Sequence, residues 1–114
     1  MVKIKRAYER PSKDDGYRVL VDRVWPRGQT KQQLALNEWA KALAPSTALR
    51  KLFAHDPQRW AIFQTRYRKE LKSNAEAVEK LRTLKRLARR RLVTLVYGAH
   101  DQRYNQAVVL RKLI

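Results

Sequence analysis

The sequence predicts an α/β fold: a small, largely parallel sheet of three to four strands flanked by helices, in a single compact domain spanning residues 1–114. Three observations carry this reading. Two β-forming segments lie near the amino end, and the best β-forming run of the chain lies near the carboxyl end. The long stretch between them is patterned for helices. Strands separated by helical crossovers pair in parallel.

Each element has a local reason. Val2-Lys3-Ile4-Lys5-Arg6-Ala7-Tyr8 alternates apolar and polar side chains, the period of a strand with one buried face. Pro11 to Gly16 is a turn cluster with room for one helical turn. Tyr17 to Asp22 is rich in β-formers, and Val19 to Val21 is a run of the buried kind. Arg23 to Gly28 reads as a loop punctuated by Pro26 and Gly28. Thr30 with Gln33 has the spacing of a capping box, after which Leu36, Trp39, Ala40 and Leu43 recur at helical spacing. Pro45 stops that helix, and Ser46 caps a short one through Phe53.

Asp56-Pro57 is a start signal: a carboxylate for the orphan N–H groups, then proline at the first helical position. Trp60, Phe63, Tyr67 and Leu71 form one stripe of the helix that follows. Ser73 with Glu76 suggests a second capping box, ahead of an amphipathic helix carrying Ala77, Val78, Leu81, Leu84 and Ala88. Leu92 to Tyr97 is the best strand, closed by Gly98. Asp101 is placed to cap a last helix with Ala107, Val108, Leu110 and Leu113 as its apolar side.

Composition narrows the function. The 114 residues include 27 Lys plus Arg against 10 Asp plus Glu, a formal charge of +17. Such a balance attracts polyanions: nucleic acid, anionic membrane or small phosphorylated molecules. Residues 80–114 carry +9 and residues 1–79 carry +8, so the last third is the denser source. There is no cysteine, which removes disulfides, thiolate metal clusters and thiol catalysis. No apolar run approaches the roughly 20 residues of a membrane span. No apolar segment follows the basic amino end, so no signal peptide is expected and a cytoplasmic location is. The three glycines, Gly16, Gly28 and Gly98, are too scattered for a dinucleotide or ATP loop, and no His/Asp set has zinc spacing. No cofactor or metal is expected. Ser12, Ser46 and Ser73 sit in turn or capping contexts and offer no serine nucleophile.

In parallel α/β sheets, ligands bind beyond the carboxyl ends of the strands. The loop after the second strand supplies Asp22, Arg23, Trp25 and Arg27; the loop after the last strand supplies Tyr97, His100, Asp101 and Asn105. Arg23 and Arg27 are candidate anion clamps, Trp25 a stacking face, and Asp22 or Asp101 a general base if desolvated. Tyr97, His100 and Asn105 complete the candidate anion site. Structural uses compete: Asp22 as ion-pair partner of Arg23 or Arg27, Trp25 as a packed wedge, Asp56 and Asn105 as caps, and His55 as a loop residue. Lys85, Arg86, Arg89, Arg90 and Arg91 are a candidate polyanion surface, although cations also suit a helix carboxyl end.

The segments Asp22-Arg23-Val24-Trp25-Pro26-Arg27-Gly28, His55-Asp56-Pro57-Gln58-Arg59-Trp60 and Tyr97 through Leu110 resemble the YeaO-like branch of domain-of-unknown-function family 488. The resemblance implies a compact bacterial α/β protein and favours parallel pairing of its first two strands. It implies no established activity. Members of that branch often carry histidine near the positions of Tyr104 and Gln106, and this chain has neither. A histidine-based metal site would lose two ligands here. Members are also usually nearer neutrality than +17.

Three function classes follow. The first is a binding domain recognising phosphate-bearing ligands, nucleic acid included, through the strand-end cleft and the basic surface. The second is a small enzyme acting on an anionic substrate with an Asp base and an Arg clamp. The third is a protein-interaction module whose charge serves solubility.

Overall fold

The computed structural model describes residues 1–114 and contains four strands in the order β1-β4-β2-β3, all parallel. The strands are β1 (Val2–Arg6), β2 (Tyr17–Leu20), β3 (Glu38–Trp39) and β4 (Val93–Tyr97). The helices are α1 (Lys31–Leu34), α2 (Thr47–Phe53), α3 (Trp60–Lys72), α4 (Ala75–Ala88) and α5 (Gln106–Leu113). Single 3-10 turns cover Lys13–Asp15, Lys41–Leu43 and Pro57–Arg59. The α/β class and the parallel sheet are as the sequence predicts, but the first two strands do not pair with each other, because β4 lies between them and pairs with both.

β4 is central because all five of its residues are buried, the burial expected of a strand covered on both faces. Val2 registers with Val93 on one side and Tyr17 with Val93 on the other. Alternation then sorts the faces. Val19, Val21, Val93, Leu95 and Tyr97 join the main core with Phe53, Phe63, Tyr67, Leu84 and Leu110 from the helices. Leu20, Val96 and Ala7 join Leu34 in a smaller core on the other face, closed by Trp25, Leu36 and Trp39.

That second face also buries charge. Asp15 and Arg18 are 0% and 3% exposed, and Arg18 donates to Asp15 at 2.6 Å. Lys5 and Lys3 reach the same carboxylate at 3.1 Å. Burial pushes the Asp15 carboxyl up, but the Ser12 N–H and the three cations outweigh it and hold it well below the usual carboxylate range. Gly16 follows at φ +62°, and a Cβ there would lie 2.2 Å from the Leu92 carbonyl oxygen, so glycine is required.

Several caps stand where the sequence places them. Thr30 and Gln33 exchange both capping-box hydrogen bonds. Ser46 accepts from Leu49, and Asp56 accepts from Gln58 ahead of Pro57. Other expectations are corrected. No helix runs through Leu36, Trp39 and Leu43. The Ala35 backbone turns left-handed at φ 45°, ending α1, and the chain then pairs with the open edge of β2 through Asn37 N–H to Arg18 and Ala40 N–H to Leu20. Satisfying that edge outweighs helical periodicity. Asn74, not Ser73, caps α4, accepting from Glu76 and Ala77. Asn105, not Asp101, caps α5, accepting from Val108. Trp60 is only half-buried at the rim of the core, while Phe63, Tyr67 and Leu71 are inside it.

Candidate functional site

A cleft of about 690 Å³ opens at the carboxyl ends of β2 and β4. These two central strands run side by side, and the chain leaves them toward opposite edges of the sheet, β2 toward β3 and β4 toward the helix packed on β1 and β4, which opens a crevice between them. Asp22 from the loop after β2 lies at its base beside Gly98, the residue after β4. The Gly98 N–H donates to Asp22 Oδ2 at 2.8 Å. A Cβ on Gly98 would lie 2.7 Å from that oxygen, so the absence of a side chain is what lets the two loops meet. The Gln106 amide donates to Asp22 Oδ1, tying in the first turn of α5. Burial pushes the Asp22 carboxyl up to about 6, against the opposing pull of the Gly98 N–H, the Arg50 charge and the Gln106 amide.

The cations come from two places. Arg23 lines the cleft and is exposed, yet its Nε donates to the Pro45 carbonyl at 3.2 Å, which fixes its stem. Arg50 and Lys51 lie on the exposed side of α2 and line the same cleft. His55 joins them because Ala54 and His55 both take left-handed backbone, with φ 47° and 56°, and turn the chain into the cleft before Pro57. Rings form much of the remaining wall, among them Trp25, Phe53 and Tyr104. Trp25 is held edge-on to Trp39 at 5.4 Å and donates to the Gln29 carbonyl at 2.6 Å. It is therefore a packed wedge with one side toward the cleft.

The structure brings Asp22, Arg23, Trp25, His100, Asp101 and Asn105 to this one cleft. It does not bring Arg27 or Tyr97 there. Arg27 is exposed on the outer part of its loop, where its carbonyl accepts from Tyr8. Tyr97 is 2% exposed and packs in the main core, where burial pushes its phenol up. The alternation of β4 dictates this: Tyr97 shares a face with Val93 and Leu95. Asp101 accepts from the N–H groups of Arg103 and Tyr104, and Asn105 is 2% exposed with both ends of its amide engaged. His100 lies 3.3 Å from an Arg6 guanidinium nitrogen. Sequence reasoning left Arg50 and Lys51 out of the site. Only the docking of α2 against α3 places them, and no local signal marks it.

The cations of Lys85 to Arg91 are elsewhere. They end α4 and enter β4, at the amino ends of the strands, where the Arg91 guanidinium stands 5.7 Å from the ring centre of Tyr17. The five residues of β4 put roughly 16 Å between that end and the cleft. The strand-end cleft and this basic surface are therefore two separate places.

Comparison with known proteins adds the family. A family model described as the inactive DUF488-N3 subclade matches residues 1–114. The chain is 41% identical to the uncharacterized protein YeaO of Escherichia coli K12, over 96% of this chain and 92% of the relative. It is 39% identical to the uncharacterized protein Rv3073c of Mycobacterium tuberculosis H37Rv, over 99% of this chain and 92% of the relative. No solved structure matches.

Proposed function

Since the chain belongs to the inactive DUF488-N3 subclade, we propose that it is a binding domain for small phosphate-bearing ligands, which it takes in the cleft beyond β2 and β4 without transforming them. The carrying observation is the convergence of Arg23, Arg50 and Lys51 on a cleft whose one deep acid, Asp22, is held at a pKa near 6. Three cations then face two carboxylates, and protonation of Asp22 removes one of those. Guanidinium groups with free N–H donors suit phosphate oxygens, and the ring-lined wall suits a planar group attached to the phosphate.

The engagement of both candidate bases favours binding over catalysis. Each Asp22 oxygen already accepts a hydrogen bond, and Asp101 Oδ1 accepts two. Glutamine and tyrosine stand where the wider branch often has histidine. Calorimetric titration with inorganic phosphate and with a nucleoside 5′-monophosphate tests the reading. Arg50→Ala should weaken binding about tenfold or more, the worth of one charge-assisted contact, whereas Arg27→Ala should leave it unchanged. Equal affinities for the parent and Arg50→Ala would reject this cleft as the site.

A further inference from the structure

The amino end of the sheet carries its own feature, independent of the cleft. The five cations between Lys85 and Arg91 are all exposed, and the exposed Arg111 and Lys112 at the end of α5 join them. Lys85, Arg89 and Arg111 line one shallow groove floored by Val2, Ala88 and Ile114, so the ends of α4 and α5 form its two basic rims. None of the seven is in an ion pair. The acids of α4 lie farther up the helix, where Glu79 pairs with Arg82. Asp101, the one acid after residue 79, lies at the cleft. Helix capping does not account for this charge, because the α4 carbonyls of Arg86 and Leu87 already accept backbone N–H bonds from Arg89, Arg90 and Arg91.

We propose that this groove is a docking surface for the phosphate backbone of duplex nucleic acid, distinct from the strand-end cleft. Unpaired cations on two rims neutralise phosphates and release their counterions. Lys85 and Arg89 are four residues apart, about one helical turn, so both stand on the same rim. Arginine dominates the cluster, and its planar fork suits phosphate. A membrane surface fits less well, since peripheral binding buries Trp, Phe or Leu and the only large exposed apolar side chain here is Met1. A single strand also fits less well. Single-strand grooves stack bases on open rings, and the Arg91 guanidinium covers the nearby Tyr17 ring. Recognition by charge alone reads no sequence.

The experiment is fluorescence anisotropy with labelled duplex DNA of two unrelated sequences, across about 50–200 mM salt. The parent should bind both duplexes alike, and affinity should fall steeply with salt. The double variant Arg89→Ala/Arg111→Ala should lose tenfold or more at low salt, with the log–log salt slope shallower by about 2. Arg89→Glu changes the charge by the same two units and should lose about as much, and Arg50→Ala should bind as the parent does. Absent binding at low salt, an unchanged slope in the double variant, or a clear preference for single strands overturns the proposal. Binding to phosphatidylserine vesicles without duplex binding reassigns the surface to membrane and also overturns it. Duplex binding lost in Arg50→Ala alone would place the nucleic acid in the cleft instead.

Discussion

Asp22→Asn should make the protein more stable at neutral pH, although it alters a carboxylate that lines the cleft. The Asp22 carboxyl is held at about 6, above its ordinary value of 3.8, chiefly because burial disfavours the anion. A carboxyl raised in the folded state binds protons that the unfolded chain has already released. Stability therefore falls as pH rises from about 4 to about 6, and the loss is complete above that window. The gap of about two pH units corresponds to about 3 kcal/mol at pH 7 and about 0.5 kcal/mol at pH 4. Asparagine is neutral throughout and keeps an acceptor for the Gly98 N–H, while the Gln106 amide can rotate to meet its NH2 group. The variant should gain about 2–3 kcal/mol at pH 7, a rise of roughly 10 °C in Tm, and almost nothing at pH 4. Urea or thermal melts followed by circular dichroism at the two pH values measure this. The Asp15 contribution is common to both proteins and cancels in the difference. A variant less stable than the parent at pH 7 would refute the reasoning, because it would mean the ionised carboxylate is a net favourable partner.

Other perturbations follow from the same geometry. Asp15→Asn should destabilise by about 3–5 kcal/mol, since it strands Arg18 and Lys5 beside a neutral amide; chemical denaturation at pH 7 reads this. Phe63→Ala should cost about 3–5 kcal/mol and Trp60→Ala less, because Phe63 is 2% exposed and Trp60 is at the rim; melts that reverse the order would misplace the core boundary. Ala54→Gly should stabilise by about 1 kcal/mol by relieving a left-handed alanine at the end of α2, and thermal melts read the gain. Phosphate itself takes up a proton near pH 6, so the Asp22 effect is read as a difference: as pH falls through about 6 the affinity of the parent should rise relative to that of Asp22→Asn, as calorimetric titration of the two proteins measures.

The fold was legible where local chemistry and tertiary need agree. Val93 to Tyr97 is a strand by composition and is central in the sheet. Thr30, Ser46 and Asp56 cap by side-chain chemistry that needs no distant partner. Legibility ended where a remote segment decided the outcome. Trp39 has the spacing of a helix stripe, yet its backbone pairs with β2 and its indole donates to the Asp22 carbonyl at 2.7 Å. Tyr97 and Arg27 flank the right loops in sequence, but strand alternation turns the first inward and the outer part of the loop carries the second away. Arg50 could not be found from sequence because nothing in Thr47–Phe53 says which loops it will face.

Asp22 joins these threads. Its side chain gathers Gly98 and Gln106, and its backbone carbonyl holds Trp39. Three parts of the chain, around residues 22, 39 and 98–106, thus meet at one residue. A neutral amide could make the same contacts at lower cost to stability, so architecture alone does not explain a carboxylate there. What asparagine cannot supply is a charge that changes near pH 6 within a ring of cations. On the proposed function, ionised Asp22 would offset the Arg50 charge and protonated Asp22 would leave that charge to an incoming anion. If Asp22 serves the cleft in this way, phosphate should raise the carboxyl pKa on binding, by linkage. Infrared or NMR titration of Asp22 with and without phosphate would show the shift. An unmoved pKa would reduce Asp22 to a costly fastener.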